Sequence, residues 1–291
     1  MKAYLSGVLL MLLPLWSLSG LAGADIPPPT EEQERNQNDP LSFGLVIFDG
    51  FEPLDVWGPL EVLYRMSWFF NISLSVISHS TGPISTRPPA FRSAPDAPIQ
   101  DFGHIIGPAM EATHTFQNAP SLDVIMVPGG GGLDYLLSIK DSTNQDFFNL
   151  RYEEAKYVLS VCTGAFVLAS AGLLDGRRAT TSKFAWNEVV ASRPEVDWVP
   201  SARWVEDGNI WTSSGVSAGI DMMYAFMKHY YGEKEINIVM NTIEFAPHTD
   251  SHWDPFAVVH EVPGADPSGG TEDCFGPVEM DRQLGVTRLG L

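Results

Sequence analysis

The sequence predicts an α/β domain built on a mostly parallel sheet with helices on both faces, and three observations predict it. First, short apolar runs recur along the chain: Phe43-Gly44-Leu45-Val46-Ile47-Phe48, Val124-Ile125-Met126-Val127 and Tyr157-Val158-Leu159-Ser160-Val161. Runs that are apolar on both pleat faces belong to strands buried on both sides, as in parallel sheets. Second, segments with helical spacing alternate with these runs. Third, 44% hydrophobic and 18% charged residues in a chain of 291 supply a sizeable core for one large domain or two small ones.

Taken in order, residues 1–24 read as a signal peptide. Lys2 is their only charge, Val8 to Leu13 is apolar, and Ala22-Gly23-Ala24 has the small-x-small pattern of a cleavage site. An uncleaved anchor is the competing reading. Pro14 and the Ser and Gly content disfavour it, since a span wants about 20 strongly apolar residues. The expected location is therefore outside the cell or in the lumen of the secretory pathway, with no membrane attachment after cleavage. Residues 25–41, Pro-rich and then charged, read as a flexible leader.

The folded domain is expected over 42–250. A strand over 43–48 precedes a helix over 55–66 and a strand over 70–78. Residues 79–121, rich in Pro, Gly, Ser and Thr, should hold hairpins and loops. A strand over 123–127 runs into Pro128-Gly129-Gly130-Gly131-Gly132 and then a short helix. A helix over 145–155, a strand over 157–161 and a helix over 166–171 follow, the last closed by Gly172. Residues 198–200 and 204–213 read as strands, 217–231 and 233–243 as helices. Trp57, Met222, Met223, Tyr224 and Phe226 sit at helical spacing and are expected mainly in the core. Over 251–291 periodicity gives way to a poorly ordered tail.

Charge and cysteine count narrow the function. A formal charge of -19, from 36 acidic and 17 basic residues, repels phosphate backbones and excludes nucleic acid as the expected partner. Two cysteines, Cys162 and Cys274, are too few for a disulfide-stapled scaffold. A bond between them would silence Cys162. His248 and His252 are four apart, but Pro247 and the surrounding loop residues argue against a helical metal pair, so no metal is expected.

The strongest chemical signal is Ser160-Val161-Cys162-Thr163-Gly164-Ala165. An apolar strand stops on a Cys, small residues follow, and a helix begins. Sites in open α/β sheets form at the carboxyl ends of strands. A helix N-terminus there favours a thiolate. A thiol of pKa about 8.5 needs a drop of about two units to be mostly ionised, or roughly 2.7 kcal/mol. Helix-end effects of about 0.3–1 kcal/mol do not supply that alone, so another contact is required. A buried structural Cys fits the same pattern. For Gly129 and Gly130 the choice is between amides that face a site and stabilise negative charge, and a tight turn that needs glycine. No Walker or G-x-G-x-x-G pattern points to phosphate.

Four segments resemble one family. Cys162-Thr163-Gly164 with Ala171-Gly172-Leu173-Leu174 and Gly176-Arg177-Arg178-Ala179-Thr180-Thr181 resembles the nucleophile segment of the ThiJ/PfpI superfamily. Leu54-Asp55-Val56 with Gly58-Pro59, Asp123 through Gly130, and Gly215 with Ala218-Gly219-Ile220-Asp221 resemble its isonitrile hydratase-like subgroup. The resemblance implies a flavodoxin-like three-layer sandwich, usually a homodimer, acting on a small molecule without a cofactor. It implies Cys162 as nucleophile, Thr163 lining the site, and Asp55 with its carboxyl beside the sulfur. Read from the residues alone, Asp55 is a helix N-cap ahead of Gly58-Pro59. The implied reaction is addition of water to an isonitrile through a Cys thioimidate. A cofactor-free glyoxalase or deglycase, and a non-catalytic redox-responsive or ligand-binding protein of the same fold, are the alternatives. One departure stands out: Ser182 and Lys183 follow the Thr-Thr pair where the subgroup usually carries His and Trp.

Overall fold

The computed structural model describes residues 26–271. In chain order the first half contains α1 (Glu31–Asn38), β1 (Leu41–Val46), α2 (Pro53–Met66), β2 (Ile72–Ser78), β3 (Gly82–Ser85), β4 (Ala109–Ala112), β5 (His114–Thr115) and β6 (Val124–Val127). The middle contains α3 (Gly132–Ser138), α4 (Thr143–Arg151), β7 (Tyr157–Ser160), α5 (Gly164–Ser170), β8 (Arg178–Ala179), α6 (Trp186–Ser192) and β9 (Asp197–Trp198). The last part contains β10 (Trp204–Asp207), β11 (Ile210–Ser213), α7 (Ala218–Tyr231), α8 (Glu233–Thr242) and α9 (Pro255–Val259).

A seven-stranded sheet runs in the order β10-β11-β7-β6-β1-β2-β5. Its pairings are parallel except β10 with β11, a hairpin at one edge. The central strands are apolar on both faces because both are covered: Phe43, Leu45, Ile125, Met126, Val158 and Leu159 are fully buried. Helices α1, α2, α7 and α8 pack together in one layer, and α4, α5 and α6 in another, giving the flavodoxin-like three-layer sandwich. From β1 the chain moves outward to β2 and β5, then returns to β6 and β7 on the other side. The strand order therefore reverses beside β1, where α/β sheets open a crevice at their carboxyl ends. Three corners meet there: the loop into α2, the glycine turn after β6, and the corner after β7.

Two expectations are corrected. Residues 25–41 were expected to be a flexible leader, yet 31–38 form α1. Thr30 and Gln33 make a capping box, and Gln33, Asn36 and Gln37 donate to the carbonyls of Lys228, His229, Tyr230 and Tyr231 at the end of α7. These polar side chains satisfy helix-end carbonyls, so a segment with no buried residues still docks. Within the expected tail, residues 251–271 also pack. The Arg203 N–H donates to the Ser251 carbonyl, that of Asp254 to the Ser201 carbonyl, and Ala257 and Val262 form a small core with Trp186. The signal-peptide reading and Cys274 lie outside the described residues. Among the described residues no helix is long and apolar enough to cross a membrane.

Candidate active site

Cys162 occupies the middle of the three-residue corner, 161–163, between β7 and α5. Its φ is 58°, in the left-handed region that a residue with a Cβ adopts only when its surroundings impose it. Three hydrogen bonds hold it. The Cys162 N–H donates to the Ser214 carbonyl (2.9 Å), the Gly164 N–H to the Val161 carbonyl (2.9 Å), and the Thr181 hydroxyl to the Cys162 carbonyl (3.0 Å). The result is a nucleophile-elbow geometry, with the side chain at the carboxyl edge of the sheet.

Asp55 lies in the first turn of α2, fully buried. It does not cap the helix. Glu52 is the N-cap residue, and Pro53 at the first helical position needs no N–H partner. Asp55 Oδ2 instead accepts from the Gly129 N–H (2.8 Å), while Oδ1 has no hydrogen-bond partner among the described residues. The Gly130 N–H donates to Thr163 Oγ1 (3.1 Å). Both glycine amides are thus committed to side chains of the site and not free to meet a ligand. The turn also needs glycine for space: a Cβ on Gly129 would lie 2.3 Å from Thr163 Oγ1, and Gly130 has φ 134°.

The electrostatics differ from a pre-ionised thiolate. Cys162 is buried, with 9% of its surface open. Burial pushes its thiol well above the usual range, and the Asp55 charge adds to this. The Ser182 hydroxyl and the Thr163 N–H oppose it, and the Glu52 charge raises it further. Burial likewise pushes Asp55 up to about 8. The Gly129 N–H opposes this, Glu52 reinforces it, and the contact with Cys162 lowers it. At neutral pH the pair rests mainly as a neutral thiol beside a neutral carboxylic acid. The expected drop in thiol pKa is therefore corrected: sealing the sulfur into the core outweighs the helix end.

Asp55, Cys162, Thr163, Gly129 and Gly130 come together from three separate corners. Two neighbours escaped sequence reasoning. Glu52 sits three residues before Asp55, and burial raises its own carboxyl. Its spacing from Asp55 was the available signal. Ser182, noted only as a departure, places its hydroxyl on the sulfur. None of the groups acting on Cys162 is a histidine. No group of three or more His, Cys, Asp or Glu among the described residues is arranged to hold a metal. Beside Ser182 opens a cavity of about 300 Å³, also lined by Leu54, Lys183, Phe184, Arg203 and Asp254.

The DJ-1/PfpI family model matches residues 43–229, the span that carries the sheet and all three corners. The chain belongs to the DJ-1/PfpI family. It is 32% identical over 208 residues to isonitrile hydratase from Pseudomonas putida, covering 71% of this chain and 79% of that protein. It is 32% identical over 113 residues to a deglycase from Pyrococcus abyssi, covering 39% of this chain and 63% of that one. A ThiJ/PfpI family protein from Pseudomonas syringae shares the fold, with TM-score 0.58 and 23% identity over 79% of this chain and 85% of the other. Of the described residues past the DJ-1/PfpI span, Asp254, Phe256 and His260 line the cavity.

Proposed function

We propose that this chain is an isonitrile hydratase-like enzyme that adds water to the terminal carbon of an isonitrile and releases an N-substituted formamide. The observation that carries the reading is the buried Cys162–Asp55 pair, a thiol beside a carboxylic acid held near pKa 8. Similarity to isonitrile hydratase over most of both chains supports it.

The pair suits a carbon that must gain a proton and a nucleophile together. Asp55 gives its proton to the isonitrile carbon, the Cys162 sulfur bonds to that carbon, and the thiol proton passes to the Asp55 carboxylate. The product is an S-bound thioimidate, and Asp55 is again an acid. Water then adds to the thioimidate carbon, the C–S bond breaks, the sulfur regains a proton, and the formamide leaves. Atoms balance as R–NC plus H₂O. No free thiolate need exist in the resting enzyme. Gly129 fixes the carboxyl by its N–H. Gly130 occupies an acceptor position on Thr163 Oγ1, which leaves the hydroxyl proton of Thr163 to meet the imidate nitrogen. Ser182 supplies a hydrogen bond to sulfur at the position where the resembled subgroup usually carries His. No cofactor takes part in this scheme.

The test is formamide production from phenyl and cyclohexyl isonitrile by protein with Cys162 reduced, against Cys162→Ala. Turnover that the variant lacks is expected; no turnover of either compound overturns the reading. The deglycase similarity supplies a second reading, which lactate formation from methylglyoxal at a higher kcat/KM than for isonitriles would favour. The raised thiol disfavours the redox-responsive alternative. Homodimer formation and export belong to the same proposal. Sedimentation should give twice the chain mass, and exported protein should begin at Asp25.

A further inference from the structure

Between Arg65 and His79 the chain carries no charged side chain and no proline, in a protein whose formal charge is -19. This stretch leads from the end of α2 into β2. Trp68 is 67% exposed, and Phe69 and Leu74 are exposed with it. Tyr64, also exposed, meets the Trp68 ring edge-on at 6.0 Å. The strand that follows is bare along part of one side. β5 pairs with β2 only at Ile77 and Ser78, and Thr113 bonds to Val76, so among the described residues Ile72 to Ser75 pair with β1 alone. An open, uncharged strand edge is a template for a second chain, and native proteins blunt such edges with charge, proline or a cover. Neither charge nor proline is present here.

The chain's one Asn-x-Ser/Thr sequence, Asn71-Ile72-Ser73, lies in the middle of this stretch. Asn71 immediately precedes β2 and is exposed, and no hydrogen bond among the described residues engages its side-chain amide. Its backbone is fixed, since the Leu41 N–H donates to the Asn71 carbonyl (2.9 Å). Trp68 and Leu74 are each three residues away, at most about 11 Å of chain. N-glycans are added as a chain enters the secretory lumen, before its strands pair. That Ile72 and Ser73 later join a strand is therefore no bar, provided that the fold leaves the amide outside, and it does. A glycan is bulky and solubilising, and at this point it supplies the cover that side chains do not.

We propose that Asn71 carries an N-linked oligosaccharide that covers the open edge of β2 and the aromatic side chains beside it, and so keeps one chain from pairing with the next. In the transfer, the Asn71 amide nitrogen bonds to the first sugar carbon of a lipid diphosphate-linked oligosaccharide. The bond from that carbon to the diphosphate oxygen breaks, the lipid diphosphate leaves, and the amide gives up one proton. The inference goes beyond the hydratase reading and does not use the Cys162 site; it rests on the export included in the proposed function.

The test expresses the full chain, residues 1–291, in a eukaryotic secretory host and collects protein from the medium. Peptide N-glycosidase F should remove the mass of one glycan, and the deamidation it leaves should map to Asn71. The shift should be absent in Asn71→Gln and in Ser73→Ala, and kept in Ser73→Thr. Pairing of two bare edges doubles the particle, so the weight-average mass by light scattering should rise about twofold or more in Asn71→Gln. Adding Trp68→Glu to that variant should reverse the rise. Exported protein that the glycosidase leaves unchanged overturns the proposal while export stands, and a chain that stays in the cytosol without a glycan overturns both. An Asn71→Gln protein that associates no more than the wild type, or whose association Trp68→Glu does not reverse, overturns the covering role. Formamide formation is read separately, so none of these outcomes decides the hydratase reading.

Discussion

A carboxylic acid that holds its proton to about pH 8 behaves as a general acid over the physiological range, and the sign of its effect on rate follows. In the proposed scheme turnover requires protonated Asp55, so kcat/KM should be level below pH 7 and fall as pH rises through about 8. Asp55→Asn keeps the Gly129 contact and cannot pass a proton. Its kcat should drop by about 100-fold or more, with the alkaline limb abolished, as measured by formamide formation across pH 6–9.5. Ser182→Ala removes a contact on sulfur and should lower kcat by a smaller factor, about tenfold, with little change in KM. The sequence made Cys162 legible, because an apolar strand ending on Cys before small residues is a local pattern. It did not make the sulfur's state legible. Burial is set by side chains from distant segments, among them Asp55 and Ser182, and no window of sequence sums them. Asp55 itself reads locally as a cap. Only its resemblance to the family pointed to the sulfur, and only the fold shows Glu52 taking the cap position.

Among the elements, the apolar strands were read to within a few residues, because continuous Val, Ile, Leu and Phe runs leave little choice once both faces are covered. Helix α1 was not read, since it buries nothing and depends on carbonyls at the end of α7, almost 200 residues away. Loss of its capping box by Thr30→Ala should cost about 1 kcal/mol of local stability. Faster hydrogen exchange confined to α1, with turnover unchanged, would be the signature. The glycine turn after β6 is less forgiving. In Gly129→Ala the new methyl would press on the hydroxyl and the N–H of Thr163, moving both partners of the site. We expect loss of more than about 90% of activity and a stability loss of about 1–3 kcal/mol, measured by urea unfolding.

The whole molecule gathers its candidate site where strand order reverses, and segments 31–38 and 251–271, outside the central sheet, pack onto the domain. Segment 251–271 closes one side of the cavity, and its role was hidden by the Pro and Gly content that makes it look unstructured. Next to it, burial holds Lys183 down to about pH 7, with Asp254 opposing and Arg203 assisting. The folded state therefore binds fewer protons at Lys183 than the unfolded chain does between about pH 7 and 10.5. Stability from this group is full above that window and is lost as pH falls through about 7. Lys183→Met removes the titration but strands the two acceptors of Lys183 Nζ, Thr180 Oγ1 and the Ala202 carbonyl. Its stability relative to wild type should therefore improve as pH drops from 10 to 6, read from urea midpoints at each pH. A relative stability that is flat with pH would show that Lys183 stays charged in the fold.

The sealed sulfur has one further consequence. Hydrogen peroxide attacks only ionised thiols, so a cysteine kept neutral by its surroundings should outlast its solvent-exposed counterparts under a peroxide challenge. Trapping with dimedone after a peroxide challenge should label Cys162 more slowly than free cysteine at the same pH, leaving a thiol that stays chemically intact until something enters the site.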